Sequence, residues 1–212
     1  MAAVFHQPDF HDLIRRFLFD QTHLDDPDAP SASEVPLTQC PHFESKVLVY
    51  HSMTAVFYSP SDPSGLRGMR AECIRSHPHW RKQTPRFDTA FVERDPTLSG
   101  VRGLDVVRLR ALFSFVWRGN YYPCALVRWF THIADDPDEV TGMWVVQPDS
   151  NADGSPAVGV IHLDSVLRAA HLLPVYGDSF MPTDLSTEHS LDAFGTYYIN
   201  KYIDYHAFEI AS

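Results

Sequence analysis

The sequence predicts an α+β fold in which a small, strongly bent β-barrel carries one helix at each end. Three observations point there. From Val106 to Tyr176 the chain is a succession of short β-prone segments separated by tight turns, as barrels are written. Aromatic residues make up 13% of the 212 residues, a share that favours strands. Helical spacing of apolar residues is clearest near the two ends of the chain.

The first element is a helix over Phe10–Phe19. Leu13, Ile14, Phe17 and Leu18 fall on one face, and Asp9 stands where a cap is needed. Asp25–Pro36 is rich in Pro, Asp, Ser and Ala and reads as an extended connection. Lys46–Tyr58 holds two strand-like runs around Ser52-Met53, and Ser59–Gly65 is a turn cluster. Met69–Ser76 fits a strand or a short helix, His77–Pro85 reads as irregular and polar, and Phe87–Glu93 reads as a strand.

Val106–Phe130 is the strongest hairpin, turning at Arg118-Gly119-Asn120. Its first arm alternates. Leu109, Ala111, Phe113 and Phe115 share one side, and Arg108, Arg110, Leu112 and Ser114 share the other. Gly142–Gln147 and Val158–Leu163 follow as strands, with a turn at Asp153-Gly154 between them. Asp164 or Ser165 can cap a short helix over Val166–His171. The tail from Leu191 to Ile210 places Leu191, Phe194, Tyr198, Ile199 and Tyr202 at helical spacing. Three regions result: an N-terminal helix and connection (1–45), the barrel (46–180), and a C-terminal helical extension packed on it (181–212).

Composition narrows the class. With 44% hydrophobic and 21% charged residues the chain can bury a core. Its apolar runs are far too short to cross a bilayer, and the first residues lack the basic-then-apolar order of a secretory signal. The three cysteines, odd in number and widely spaced, fit reduced thiols of a nuclear or cytoplasmic protein. The net charge of −10 argues against general affinity for nucleic acid, but it hides an asymmetry. Arg67–Arg128 holds 12 of the 17 Lys and Arg but only 5 of the 27 Asp and Glu.

The segments FYSPSDPSGLRGMR, FDTAFVERDP, GVRGLDVVRLRALFSF, RGNYYPCALVRWF, TGMWVVQPD, VIHLDSVLRAAHLLPVYG and SLDAFGTYYINKYIDYHAFEIA resemble the C-terminal region of proteins encoded by fungal DNA transposons of the plavaka type. The likeness runs from about Phe17 to the end. It implies a genomic setting and a larger parent protein, but no reaction. A second resemblance rests on element order: a hairpin ending in VRWF, an acidic loop, a strand, then HLDSVLRAAHLLPVYG. That order is similar to bromo-adjacent homology (BAH) domains. It implies an SH3-like or BAH-like barrel that binds nucleosomes, histone tails or protein partners.

Several residue sets carry candidate chemistry. Arg67, Arg70, Arg75, Arg81, Lys82 and Arg86 are interleaved with His77, His79 and Trp80, and only Glu72 opposes them. Guanidinium forks match phosphate, and an indole can stack on a base. The plainer reading is a solvated loop. Cys40-x-His42 and Cys73-x3-His77 are ligand types for tetrahedral zinc, although Pro41 interrupts the first pair and Cys73 also suits a small apolar site. Trp117, Tyr121, Tyr122, Trp129 and Trp144 form an aromatic set that either cages a methylated ammonium or packs the core.

Catalytic readings are thinner. His51-Ser52 with Asp62 or Asp88 has the residue types of a hydrolytic triad, but Gly-x-Ser-x-Gly and phosphate-cradling Gly-rich loops are both absent. Asp88, Asp105 and Asp164 are a conceivable carboxylate set for a metal-dependent nuclease, with caps and turns as the commoner use. His162, His171 and His206 read as structural. The expectation is therefore a non-enzymatic module without a cofactor, contacting DNA or chromatin. The alternatives are a protein–protein or structural module of a larger protein and, more remotely, a nuclease using Asp105 and Asp164.

Overall fold

In the computed structural model, residues 7–24, 26, 28–60, 65–81, 84–177, 185 and 190–212 are described, and strands dominate them. The strands are β1 (Val47–Tyr50), β2 (Ser52–Tyr58), β3 (Met69–Trp80), β4 (Thr84–Phe87), β5 (Thr89–Glu93), β6 (Leu104–Trp117), β7 (Asn120–His132), β8 (Val145–Pro148), β9 (Val158–His162), β10 (Val166–Ala170), β11 (Leu172–Pro174) and β12 (Tyr197–Ile199). Among the described residues two α-helices accompany them, α1 (Phe10–Thr22) and α2 (Tyr205–Ile210). The α+β expectation holds at this level: a barrel-like antiparallel sheet with two short helices. No helix among the described residues is long and apolar enough to cross a membrane.

The long β6–β7 hairpin organises the sheet. Arg118 and Gly119 form its two-residue turn, with φ of 49° and 82°. Positive φ at both central positions matches the twist of the arms, and glycine adopts it without strain. Each arm changes partner along its length. β6 pairs with β5 through Leu104–Arg108 and with β1 through Leu112–Phe115. β7 pairs with β9 through Cys124–Arg128 and with β8 through Phe130–His132. Splitting the partners this way curls the sheet, whose path runs β10-β5-β6-β7-β8-β12-β11. A second, three-stranded sheet, β2-β3-β4, packs beside it.

One residue breaks the expected alternation of β6. Leu109 pairs with Val127 and Ala111 with Leu126, so Arg110 is the extra residue of a β-bulge. The two faces of the strand exchange there. Val107 and Leu109 before the bulge, and Leu112 after it, enter a core with Ile74, Val92, Ala125 and Val127. Ala111, Phe113, Phe115 and Trp117 enter a different core, under α1, with Phe10, Ile14, Phe17 and Leu18. Leu109 and Ala111 therefore lie on opposite faces, contrary to strict alternation. Val106 belongs to a third core with Phe130, Trp144, Tyr197 and Ile199 under the C-terminal tail.

α1 forms where the spacing predicts it. Asp9 occupies the cap position but its side chain makes no capping bond. Arg15 instead fastens the following connection, donating to the carbonyls of Leu37, Pro41 and Cys40 at 2.7, 3.0 and 3.2 Å.

Three expectations fail, each because long-range pairing overrides local pattern. Val166–Ala170 is a strand, not a helix, since its backbone pairs with β5 from Val92 to Thr89. The tail is not helical throughout. Tyr197–Ile199 pairs between β8 and β11, and helix is confined to Tyr205–Ile210, capped by Asp204 at 2.8 Å from the Ala207 N–H. The supposedly irregular stretch after Ser76 continues β3 to Trp80, accommodating Pro78 at a register shift.

Candidate nucleic-acid interface

The end of the β3–β4 hairpin concentrates the basic residues. Thr84 pairs with Trp80, and Arg81 takes φ of 47° at the turn. Three guanidinium groups surround the Trp80 ring, Arg75 at 4.8 Å from its centroid, Arg86 at 5.5 Å and Arg81 at 5.7 Å. Such contacts contribute about 0.5–1 kcal/mol each at exposed sites, enough to preorganise the side chains. Asp88 braces the group. Its carboxylate accepts from Arg86 Nε at 2.7 Å and from the Arg75 backbone N–H at 2.9 Å. The bond to Asp88 also raises the Arg86 pKa.

Histidines border the same hairpin. His77 stacks on His51 at 4.1 Å, meets Trp80 edge-on at 6.2 Å, and accepts the His79 backbone N–H through Nδ1 at 2.9 Å. Desolvation, then the neighbouring His51 and His79, push the His77 pKa below its ordinary value.

The rest of the basic set is dispersed. Arg67 lies in the β2–β3 turn with φ of 56°. A rise of about 3.3 Å per residue puts it roughly 40 Å along the hairpin from Trp80. Arg70 acts electrostatically on Asp204 and His206, away from Trp80. Lys82, like Asp62, lies outside the described residues. Of the seven residues picked out, Arg75, Trp80, Arg81 and Arg86 come together.

The other candidate sets do not assemble. Cys40 is buried with Phe19, Ala32 and Val35, Cys73 is exposed on β3, His42 stands beside Glu44, and His77 is stacked on His51. Asp88 is engaged by Arg86 and Arg75, Asp105 by Arg94, and Asp164 by His162. Among the described residues, no three His, Cys, Asp or Glu side chains are placed to hold a metal ion. Neither the zinc set nor the carboxylates Asp88, Asp105 and Asp164 forms such a group among the described residues.

The aromatic pocket is corrected. Trp117 packs under α1 with its Nε1 on the His42 carbonyl, Trp129 packs against the second core, and Trp144 belongs to the third. Tyr121 is 58% exposed. Three separate cores take the indoles, so they form no shared cage.

A site missed by sequence reasoning lies on the outer face of the β6–β7 hairpin, between α1 and the tail. Arg108 and Arg128 pair directly across the strands, where like charges are unfavourable. They share one carboxylate, Asp192, at 2.8 and 3.1 Å. The Nε atoms of both are buried without a partner. Arg110 follows at the bulge, its guanidinium 4.9 Å from the Phe87 ring centroid. Burial, then Arg108, lowers its pKa, partly offset by Asp192. The visible signal was arginines at two alternate positions of a largely apolar strand; the bulge and Asp192 gave none.

Comparison with known protein families, with characterised proteins and with solved structures finds no match for this chain.

Proposed function

We propose that this chain is a non-enzymatic module that binds nucleic acid through the tip of the β3–β4 hairpin. The single observation behind the reading is the Trp80 ring held among Arg75, Arg81 and Arg86. An aromatic platform ringed by guanidinium groups suits stacked bases and their phosphates together. The resemblance to plavaka-type transposon proteins supplies a matching setting, in which the module serves a larger protein on DNA. A barrel of the SH3-like or BAH-like kind, working on chromatin, is part of the same proposal.

Titration of a fluorescent single-stranded oligonucleotide and a short duplex at several salt concentrations tests it. Three phosphate contacts give a log–log salt slope of about −2 to −3. Trp80→Ala weakens the single-stranded complex by about 1–3 kcal/mol, the worth of one stacked base. No binding, or binding indifferent to both salt and Trp80, defeats the proposal.

The neighbouring histidines add a pH dependence. His77 has a lowered pKa, so it is neutral at pH 7.5 and gains its proton only below the ordinary histidine value of about 6.5. Affinity is expected to rise as pH falls below about 6.5, and His77→Gln should reduce that rise.

One observation favours the protein-interaction alternative. Tyr202, Tyr205 and Phe208 are exposed together beside Lys201 around α2. Concentration-dependent association abolished by Phe208→Ser, without oligonucleotide binding, selects that reading.

A further inference from the structure

A cavity of about 810 Å³ opens between the amino end of α1 and the outer face of β6, β7 and β9, lined in part by Asp9, Arg16, Arg110, Arg128, Val158 and Asp192. Arg16 is satisfied by the carbonyls of Ala32 and Val35. Arg108 and Arg128 hold Asp192 between them. Arg110 is different. Among the described residues it has no hydrogen bond and no ion pair, only the Phe87 ring. Among the described residues, counting Arg108 with the lining sets four guanidinium groups against the carboxylates of Asp9 and Asp192, a surplus of two positive charges.

Such a surplus is unfavourable in an empty site. Arg108 and Arg128 repel across the ladder, and burial disfavours the charged form of Arg110. A bound dianion removes both penalties. The uncapped amino end of α1 lies on the same wall, its partial positive charge offset by Asp12 in the first turn. The volume lies within the range of small-molecule sites, about 300–1,000 Å³, and exceeds what a bare inorganic anion fills.

We propose that this cleft is a phosphate-binding site for a small phosphorylated molecule, with Arg110 as the principal ligand and Arg128 and Arg108 as its supports. A phosphate monoester carries close to two negative charges at neutral pH and accepts paired N–H groups from a guanidinium fork, so it matches both the charge and the donors. The proposal is independent of the Trp80 surface.

The test is thermal unfolding and calorimetric titration of the whole chain with inorganic phosphate, pyrophosphate and a nucleoside diphosphate, against sodium chloride at matched ionic strength. Saturable stabilisation by these phosphates and not by chloride is expected. Arg110→Gln should weaken their binding by at least about tenfold, since a charge-assisted bidentate contact is lost. In phosphate-free buffer Arg110→Gln should melt no lower than the parent chain, and higher if repulsion dominates. A purely structural arginine does the reverse. Trp80→Ala should leave phosphate binding intact while impairing oligonucleotide binding, which separates the two sites. The proposal is overturned if none of the three phosphates binds saturably, if Arg110→Gln binds them equally well, or if only an oligonucleotide responds, which would reassign the arginines to the nucleic-acid backbone.

Discussion

Replacing Arg168 by alanine is expected to remove about 3–5 kcal/mol of folding stability, because it breaks a buried ion pair and leaves its partners uncompensated. Arg168 is 1% exposed. Its guanidinium donates to both carboxylate oxygens of Asp204, at 2.8 and 2.6 Å, and to His206 Nδ1 at 3.1 Å. Its Nε lies 3.8 Å from Glu72, and its plane covers Phe57 at 4.8 Å. One side chain thus joins β10, β3 and the cap of α2. Arginine can only donate, so His206 Nδ1 accepts and the imidazole is neutral. Urea unfolding of the variant measures the loss; a change below about 1 kcal/mol would place Arg168 among ordinary surface pairs.

The same cluster sets the acid response. The Arg168 bonds hold the Asp204 pKa at about 2, against an ordinary value of about 3.9. A depressed carboxylate stabilises the fold fully above its unfolded pKa and loses that contribution as pH falls through the folded one. Asp204 therefore supplies on the order of 2 kcal/mol that disappears between about pH 4 and pH 2. His206 acts earlier. Burial and then Arg168 lower its pKa, so the unfolded chain takes up the proton first and stability declines as pH drops below about 6.5. Urea midpoints should fall in two stages on acidification, and the lower stage should shrink in Arg168→Ala. Parallel pH curves for the two proteins would contradict the assignment.

Phe113→Ala is expected to cost a further large amount, about 3–5 kcal/mol, the usual loss for a fully buried phenylalanine. Phe113 meets Phe10 edge-on at 5.0 Å and stacks toward Phe115 at 6.2 Å, so it anchors α1 to the sheet. Its cross-strand partner is Cys124. Burial pushes that thiol up to about 12, which leaves almost no reactive thiolate at neutral pH. The parent protein should alkylate quickly at exposed Cys73 and slowly at Cys124. In Phe113→Ala, release of α1 should bring Cys124 into the fast class. Continued protection of Cys124 would mean that α1 stays docked without its anchor.

What could be read from the sequence was what short segments decide for themselves. The β6–β7 turn was legible because Arg118-Gly119 sits between two apolar arms. α1 was legible because its buried face recurs at helical spacing. Val166–Ala170 was not, since Val-Leu-Arg-Ala-Ala suits a helix as well as a strand and its pairing with β5 is settled far along the chain. The Trp80 cluster was half legible. Its residues belong to one hairpin, but the separation of Arg70 from Arg75 follows from which way each strand residue points. The arginine cleft was beyond reach because it needs both the bulge at Arg110 and Asp192, 84 positions after Arg108.

The bulge has a consequence for how this protein can change over time. Arg110 acts as a phase shifter within a single strand. Ahead of it one parity of residues looks toward the second core, and behind it the other parity does. A substitution at 110 alters one side chain. Loss of that position would remove the bulge and leave the faces as they are: Leu109 and Ala111 would become direct neighbours opposite Val127 and Leu126, with Leu112 still toward the second core and Phe113 and Phe115 still under α1. The strand can therefore shed position 110 without repacking either core; what it would lose is the guanidinium beside Arg128 and Asp192. In lineages descended from this chain, a gap at 110 should go with loss of the arginine cleft and not with loss of the fold.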